Sequence, residues 1–525
     1  MEGKDCKAQL HHPREKQHST KSFKWWEKML LTKSIERLQA DAKNTTLERT
    51  HSAADLTAIG IGGTIGIGIF VLTGLAAAKN TGPAVVLSFI LAGLTASTAA
   101  FSLSEMACII PVSGSTYTYV YATLGELAGW VIGWDLILEY LVGAATVSVG
   151  WSNYFRSFLM NAFGIQISER YTSAPVIFDT DTQSFNMSGS IINVPAILIS
   201  LTISTLLYTG VRESARVNTV IVITKLLVIV LFITACLKYV DPKNYTPFLP
   251  PNQGSFGLYG FSGLLSATTT VFFSYIGFDS VTTAAQEAKN PERDVPIGIW
   301  ASLIICTVLY IAMCMIMTGI VPYHELNSPS PVSVVIAYTG MSWLTIIVEF
   351  AAIIGLTSVM LVFLLAQSRI FYTMACDGLL PSSAAKIHKK FKTPWVTTIA
   401  SGAFCALLGG VLPVDVLGEM SAVGTLFAFA LVHVGVIILR FRRPELPRKF
   451  KTPLEPFAIP IFGIAMSVVL ICGATISTII RLFIWLAVGL LVYILYGRIH
   501  SKIGKTFVGL HNHEMESIGG VNESV

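Results

Sequence analysis

Repetition limits this chain most: twelve apolar runs, roughly 55–78, 83–108, 126–158, 191–209, 217–239, 258–286, 297–321, 343–372, 395–411, 414–440, 458–477 and 480–497. Each is long enough to cross about 30 Å of hydrocarbon as a helix. A segment in lipid must satisfy its own backbone hydrogen bonds, which leaves helices as the spanning element for such runs. At 53% apolar and 13% charged residues, the chain cannot hide its apolar side chains in one soluble core. The expected class is all-α and integral to a membrane, with about 12 transmembrane helices between an N-terminal tail (1–54) and a C-terminal tail (498–525).

Charge predicts the orientation. If the first span starts inside, cytoplasmic segments hold 29 of the 36 Lys and Arg, external segments hold six, and Lys225 is the remainder. An excess of Lys and Arg marks the cytoplasmic side, so both tails are expected there. The clusters responsible, the N-terminal tail, 386–392 and 440–451, read as orientation signals rather than as a nucleic acid surface. The tail lacks the short apolar core and cleavage site of a secretory signal. Its stretch 22–38 suits either an amphipathic helix on the inner leaflet or a disordered tail with one sticky patch. The eight cysteines show no paired spacing, which suggests neither a disulfide framework nor a zinc site. Of the sequons, Asn186 and Asn244 fall on external segments, Asn44 and Asn522 on internal ones.

Two runs carry features that a plain span does not need. Residues 58–70 (AIGIGGTIGIGIF) place glycines at 60, 62, 63, 66 and 68. A continuous helix gives up about 1 kcal/mol per glycine relative to alanine, and small-residue packing wants a spacing of four on one face, whereas these cover every face. The pattern predicts an unwound segment lining a cavity. A second break is expected at 274–279 (SYIGFD) in the sixth span. The breaks are five spans apart, and an odd repeat inverts its second copy, the arrangement of secondary transporters with a midplane site. N–H groups freed near Gly66, Ile67 and Gly68 suit a carboxylate, and carbonyls ending the other half-helices suit an ammonium. Together they describe an α-amino acid zwitterion. Lys225 stands alone in the apolar run 220–236. Burying that ammonium costs about 2.5–3.5 kcal/mol, so it needs a partner or a task.

On these residues the chain resembles the cationic amino acid transporter family of the amino acid, polyamine and organocation superfamily, especially its bacterial-type members. The likeness runs from about 47 to 500 through GIGGTIGIGIFVLTG (60–74), PVSGSTYTYVYATLGELAGWVIGWDLILEY (111–140), SARVNTVIVITK (214–225), TVFFSYIGFDSVTTAAQEAKNPERDVPIGI (270–299) and QSRIFYTMACDGLLP (367–381). It implies a LeuT-like fold: two inverted five-helix repeats, 55–240 and 258–440, with helices 1 and 6 broken and two further helices over 458–497. It also implies proton-coupled amino acid uptake. Carried over by motif, the substrate carboxylate would meet the backbone of Gly66, Ile67 and Gly68. The ammonium would meet carbonyls near Thr64 and those of Phe273, Ser274 and Ile276, with the Phe273 ring as a gate. Asp279 follows as a substrate contact or as the cap of the second half-helix. Lys225 matches the lysine that, in proton-coupled relatives, occupies the place of the Na⁺ of sodium-coupled ones, and desolvation readies a lysine to give up its proton.

Asp135 and Glu139, four apart, share one face of the third span. Glu139, the deeper, is the candidate reader of a substrate side chain or else a structural hydrogen bonder. Glu105 and Arg369 are expected at an inner gate or in loop contacts. The implied partners are an amino acid, protons and the lipid bilayer, with an accessory subunit left open and no nucleic acid, metal or cofactor.

Several positions depart from the family pattern, among them Ala375 and Cys376, which replace a more usual polar and basic pair. Ile67 stands where a small residue is usual, which should crowd the carboxylate subsite. Glu349 would suit a cationic substrate or line the external vestibule, and His433 reads as an interhelical hydrogen bonder before a proton carrier. Lysine and arginine are the favoured substrates; the alternatives are small neutral amino acids, or a non-transporting sensor that keeps the site without the coupling. No HExxH pair or similar constellation suggests an enzyme, and a channel would need rings of pore-lining charge.

Overall fold

The structure, a computed structural model, describes residues 29–43, 49–112, 115–179, 184–210, 215–391, 393–454 and 456–503. Among these, eight helices are long and apolar enough to cross a membrane. The first, Gly68–Ile109, turns at Gly82 (φ +65°) and so holds the second half of one span and the whole of the next. With the shorter apolar helices Val194–Tyr208, Trp395–Val411 and Ala458–Gly473, the expected twelve spans are present.

Span 1 is Ala53–Thr64 continued by Gly68–Leu72, Thr73–Ala76 and Ala77–Thr81; span 2 is Val85–Ile109, span 3 Glu126–Phe163, span 4 Val194–Tyr208 and span 5 Ala215–Cys236. Span 6 is Gly260–Phe272, continued by Phe273–Tyr275 and Ser280–Thr283. Spans 7 to 12 are Pro291–Ile320, Ser342–Cys376, Trp395–Val411, Val414–Arg442, Ala458–Gly473 and Ile476–His500.

Their packing repeats with a period of five. Span 2 packs on 7, 3 on 8 and 4 on 9, while 1 packs on 7 as 6 does on 2, 5 on 8 as 10 does on 3, and 5 on 1 as 10 does on 6. Five spans per copy turn the second copy over, giving the inverted-repeat architecture. Spans 11 and 12 flank span 10.

Both described ends reach one face, where Lys33 bonds the side chain of Asp377, at the end of span 8, and the Lys502 N–H bonds its carbonyl. The opposite face carries a β-hairpin, Val176–Asp179 paired with Ser184–Met187, and the helix Pro331–Thr339. These are the termini face and the hairpin face.

The structure refines the sequence expectations in three places. Span 7 begins at Pro291 rather than near 297, because proline suits the first helical position and Glu292 and Asp294 meet the positive end of the helix. A continuous helix over 22–38 is not formed: the chain is irregular over 31–34 before the helix Ile35–Lys43, while 22–28, Asn44 and Asn522 lie outside the described residues. The glycine run, third, serves two purposes. Gly60, Gly62 and Gly63 stay helical, where a Cβ would lie 2.5 Å from Ser302 Oγ on span 7, 3.0 Å from Asn218 Oδ1 on span 5 and 3.2 Å from the Gly277 carbonyl. They are close-packing points against three neighbours, and unwinding is confined to Ile65 and Gly66.

Span 6 opens at Ile276 (φ −64°, ψ 133°) and Gly277 (φ +115°). A Cβ on Gly277 would meet the Gly63 backbone at 2.6 Å, and one on Gly68 would meet Ser274 Oγ at 2.2 Å, so each break packs into the other. Gly277→Ala adds both backbone strain and this clash, and is expected to lower the melting temperature and cut uptake about tenfold or more. Gly340→Ala, also at positive φ but with open space around its Cβ, should leave uptake nearly unchanged. Thermal unfolding in detergent and uptake into vesicles check both.

Candidate functional site

The candidate site forms where the backbone freed by the two breaks must find partners. The half-helix Ala53–Thr64 ends in carbonyls that no further turn reclaims. Lys225 on span 5, 1% exposed, donates through Nζ to the carbonyls of Gly62 at 3.0 Å and Ile65 at 3.1 Å. This sets an ammonium at the negative end of the helix dipole. Its stem lies along Gly355 of span 8, where a Cβ would come within 3.3 Å of Cδ and Cε. The Tyr310 hydroxyl on span 7 lies 2.9 Å from the Thr64 carbonyl and 2.7 Å from that of Ser274, bridging both breaks. The Ile276 N–H donates to the Phe273 carbonyl at 3.0 Å.

Span 3 forms the facing wall. Its stretch Ile137–Val142 widens into a π-helical turn carrying Glu139 and Tyr140. The Tyr140 hydroxyl donates to Asp279 Oδ2, and the Gly277 N–H donates to Asp279 Oδ1 at 3.2 Å. Asp279 thus turns back onto the break instead of capping Ser280–Thr283, so the capping alternative does not hold. Glu139 adjoins Asp279 and Tyr140. Among the described residues, both oxygens of Glu139 and of Asp135 and the Ser274 hydroxyl have no hydrogen-bond partner. Buried polar atoms are nearly always matched, so these unmatched ones beside the breaks make this the candidate place for a polar ligand.

Other expected residues take definite places. The tip of Ile67 fills a notch at Gly150 of span 3, where a Cβ would stand 2.3 Å from Ile67 Cδ1, so span 3 absorbs the bulk expected to crowd the carboxylate subsite. Phe273 is 4% exposed, its ring edge 3.9 Å from a Cβ placed on Gly143. On the hairpin face, Glu349 Oε1 accepts from Ser157 (2.5 Å), Asn161 (2.8 Å) and Ser333 (2.7 Å), tying span 8 to span 3 and to helix Pro331–Thr339. On the termini face, Arg369 lies 3.9 Å from Glu287, which lies 3.2 Å from His51. Glu105 takes the loop alternative: Arg440 at 3.0 Å, Arg448 at 3.4 Å and the Thr452 N–H at 3.0 Å enclose it. His433 bridges spans, with Ser102 2.8 Å and Thr98 3.4 Å from its ring nitrogens.

The model of a family described as amino acid permease matches residues 52–497. The chain belongs to that family. This permease is 45% identical over 475 residues to the branched-chain amino acid permease BcaP of Bacillus subtilis (strain 168), covering 90% of the permease and 98% of the relative. It is 43% identical over 473 residues to the methylthioribose transporter of the same organism, with the same coverage. To the vacuolar cationic amino acid transporter 4 of Arabidopsis thaliana it is 36% identical over 408 residues, 76% of the permease and 64% of the relative. It is therefore a multi-pass membrane transporter and not an enzyme, of the superfamily its motifs resemble.

The sequence reading did not single out Tyr310 or Tyr140. Their signals were a lone tyrosine in the apolar run of span 7 and a tyrosine directly after Glu139. Tyr310→Phe keeps the ring and removes the shared donor, which leaves two buried carbonyls short at a cost of about 1–3 kcal/mol. The permease should melt at a lower temperature and its initial uptake rate should fall about tenfold, as read by thermal unfolding and vesicle uptake.

Proposed function

We propose that this permease accumulates α-amino acids by proton-coupled alternating access. The observation that carries the reading is the Lys225 ammonium on the carbonyls of Gly62 and Ile65. A charged lysine holds the end of the half-helix Ala53–Thr64; loss of its proton weakens two charge-assisted bonds and lets that half-helix swing. Coupling and opening then share one hinge. The substrate carboxylate meets the backbone of Gly66, Ile67 and Gly68, its ammonium the carbonyls about Thr64, Phe273, Ser274 and Ile276, and Phe273 and Arg369 act in gating. The working halves are 55–240 and 258–440. The excess of Lys and Arg on the termini face supports cytoplasmic tails; the plasma membrane is the proposed location.

For the side chain, the unmatched carboxyl of Glu139 beside the break favours lysine and arginine. A second reading, a neutral branched-chain substrate, is favoured by the name of the relative at 45% identity.

Uptake of labelled amino acids into proteoliposomes separates these. Lys225→Ala should abolish accumulation driven by a pH gradient, and undiminished concentrative uptake by the variant, or a sodium requirement in the wild type, would overturn the coupling. Glu139→Gln should weaken lysine uptake about tenfold or more while sparing leucine, as expected when one buried charge pair is lost. Equal loss for both substrates would make Glu139 structural and leave the branched-chain reading standing.

A further inference from the structure

A groove of about 1020 Å³ opens on the termini face, between the start of span 7, the end of span 2, residue Arg49 and the segment following span 10. Four cations line it, Arg49, Lys289, Arg293 and Lys449, against one carboxylate, Glu292, which bonds Lys449. Asp294, in the same first turn, is buried and accepts the Asn290 N–H at 3.1 Å. The mouth therefore carries a surplus of positive charge.

Its inner wall is apolar, with Pro296, Ile297, Trp300 and Phe450. Ile297 is exposed and begins a stripe of exposed side chains along span 7: Ile304, Val308 and Met315 follow at offsets of seven, eleven and eighteen residues, which fall on one helical face. From Ile297 to Val308 this stripe runs about 16 Å. A basic mouth continuous with a lipid-facing stripe matches a molecule with an anionic head and an acyl tail, whereas a soluble anion would leave the stripe unused.

We propose that this groove binds an anionic phospholipid, its phosphate among Arg49, Lys289, Arg293 and Lys449 and one acyl chain along Ile297, Ile304 and Val308. The site is distinct from the substrate site at the helix breaks. A seated lipid bridges span 7, which packs on spans 1 and 2, to the segment after span 10.

The test uses the full chain purified in detergent, with phosphatidylglycerol and phosphatidylcholine as probes, reading retained lipid by native mass spectrometry and the melting temperature. Wild type should retain phosphatidylglycerol over phosphatidylcholine and melt higher with it. Lys289→Gln with Arg293→Gln should weaken that retention about thirtyfold, at about fivefold per cation removed. Ile297→Ser should weaken it with all four cations in place. Lys389→Gln with Lys390→Gln, the same charge loss elsewhere on this face, should leave it unchanged and guards against nonspecific attraction. Equal retention by wild type and the Lys289/Arg293 variant would overturn the proposal, as would stabilisation by inorganic phosphate alone to the same extent, which would make this a soluble-anion site.

Discussion

Everything in this structure depends on one constraint: backbone groups freed in the middle of a membrane must be met without lipid or bulk water doing it. The two breaks answer it jointly. They pack into each other at Gly63 against Gly277 and Gly68 against Ser274, and the carbonyls left over are taken by Lys225 from span 5 and Tyr310 from span 7. The donors come from outside the broken spans, so the breaks are stable only while spans 1, 5, 6 and 7 stay together. A change at Lys225 or in the position of span 7 is therefore felt at the break of span 1 directly.

The buried carboxylates show by contrast where this protein leaves polar capacity open. Glu105 is enclosed by two arginines and a threonine, Glu349 receives three neutral donors on one oxygen, and Asp279 is held by Tyr140 and the Gly277 N–H. Glu139 and Asp135, on one face of span 3, have no partner among the described residues. Leaving an acceptor unmatched in a buried site is costly, and the two unmatched carboxyls lie on the span that faces the breaks. The differences among these groups, not the number of them, point to the site.

The faces are closed by bonds of different strength. The ion pair of Arg369 and Glu287 is partly exposed, at 40% and 25%, and such pairs contribute little. Lys33 and Asp377 are more buried, at 13% and 7%, and Tyr117 shares the same carboxylate oxygen. The first kind costs little to break; the second ties the N-terminal segment to the end of span 8.

The sequence alone determined what is local. Hydropathy marks twelve spans because each must satisfy its own backbone, and the clustered glycines and SYIGFD mark the breaks because helix loss is decided within a few residues. Lys225 was legible because an ammonium in an apolar run is anomalous wherever the run lies. Only the tertiary structure decided who meets whom. Lys225 reaches carbonyls 160 and 163 residues away and Tyr310 one 246 residues away; Gly150 relieves Ile67, and Arg440 at the end of span 10 with Arg448 beyond it claims Glu105. Such partners are set by which spans pack together, a property of the whole bundle that no window of sequence contains.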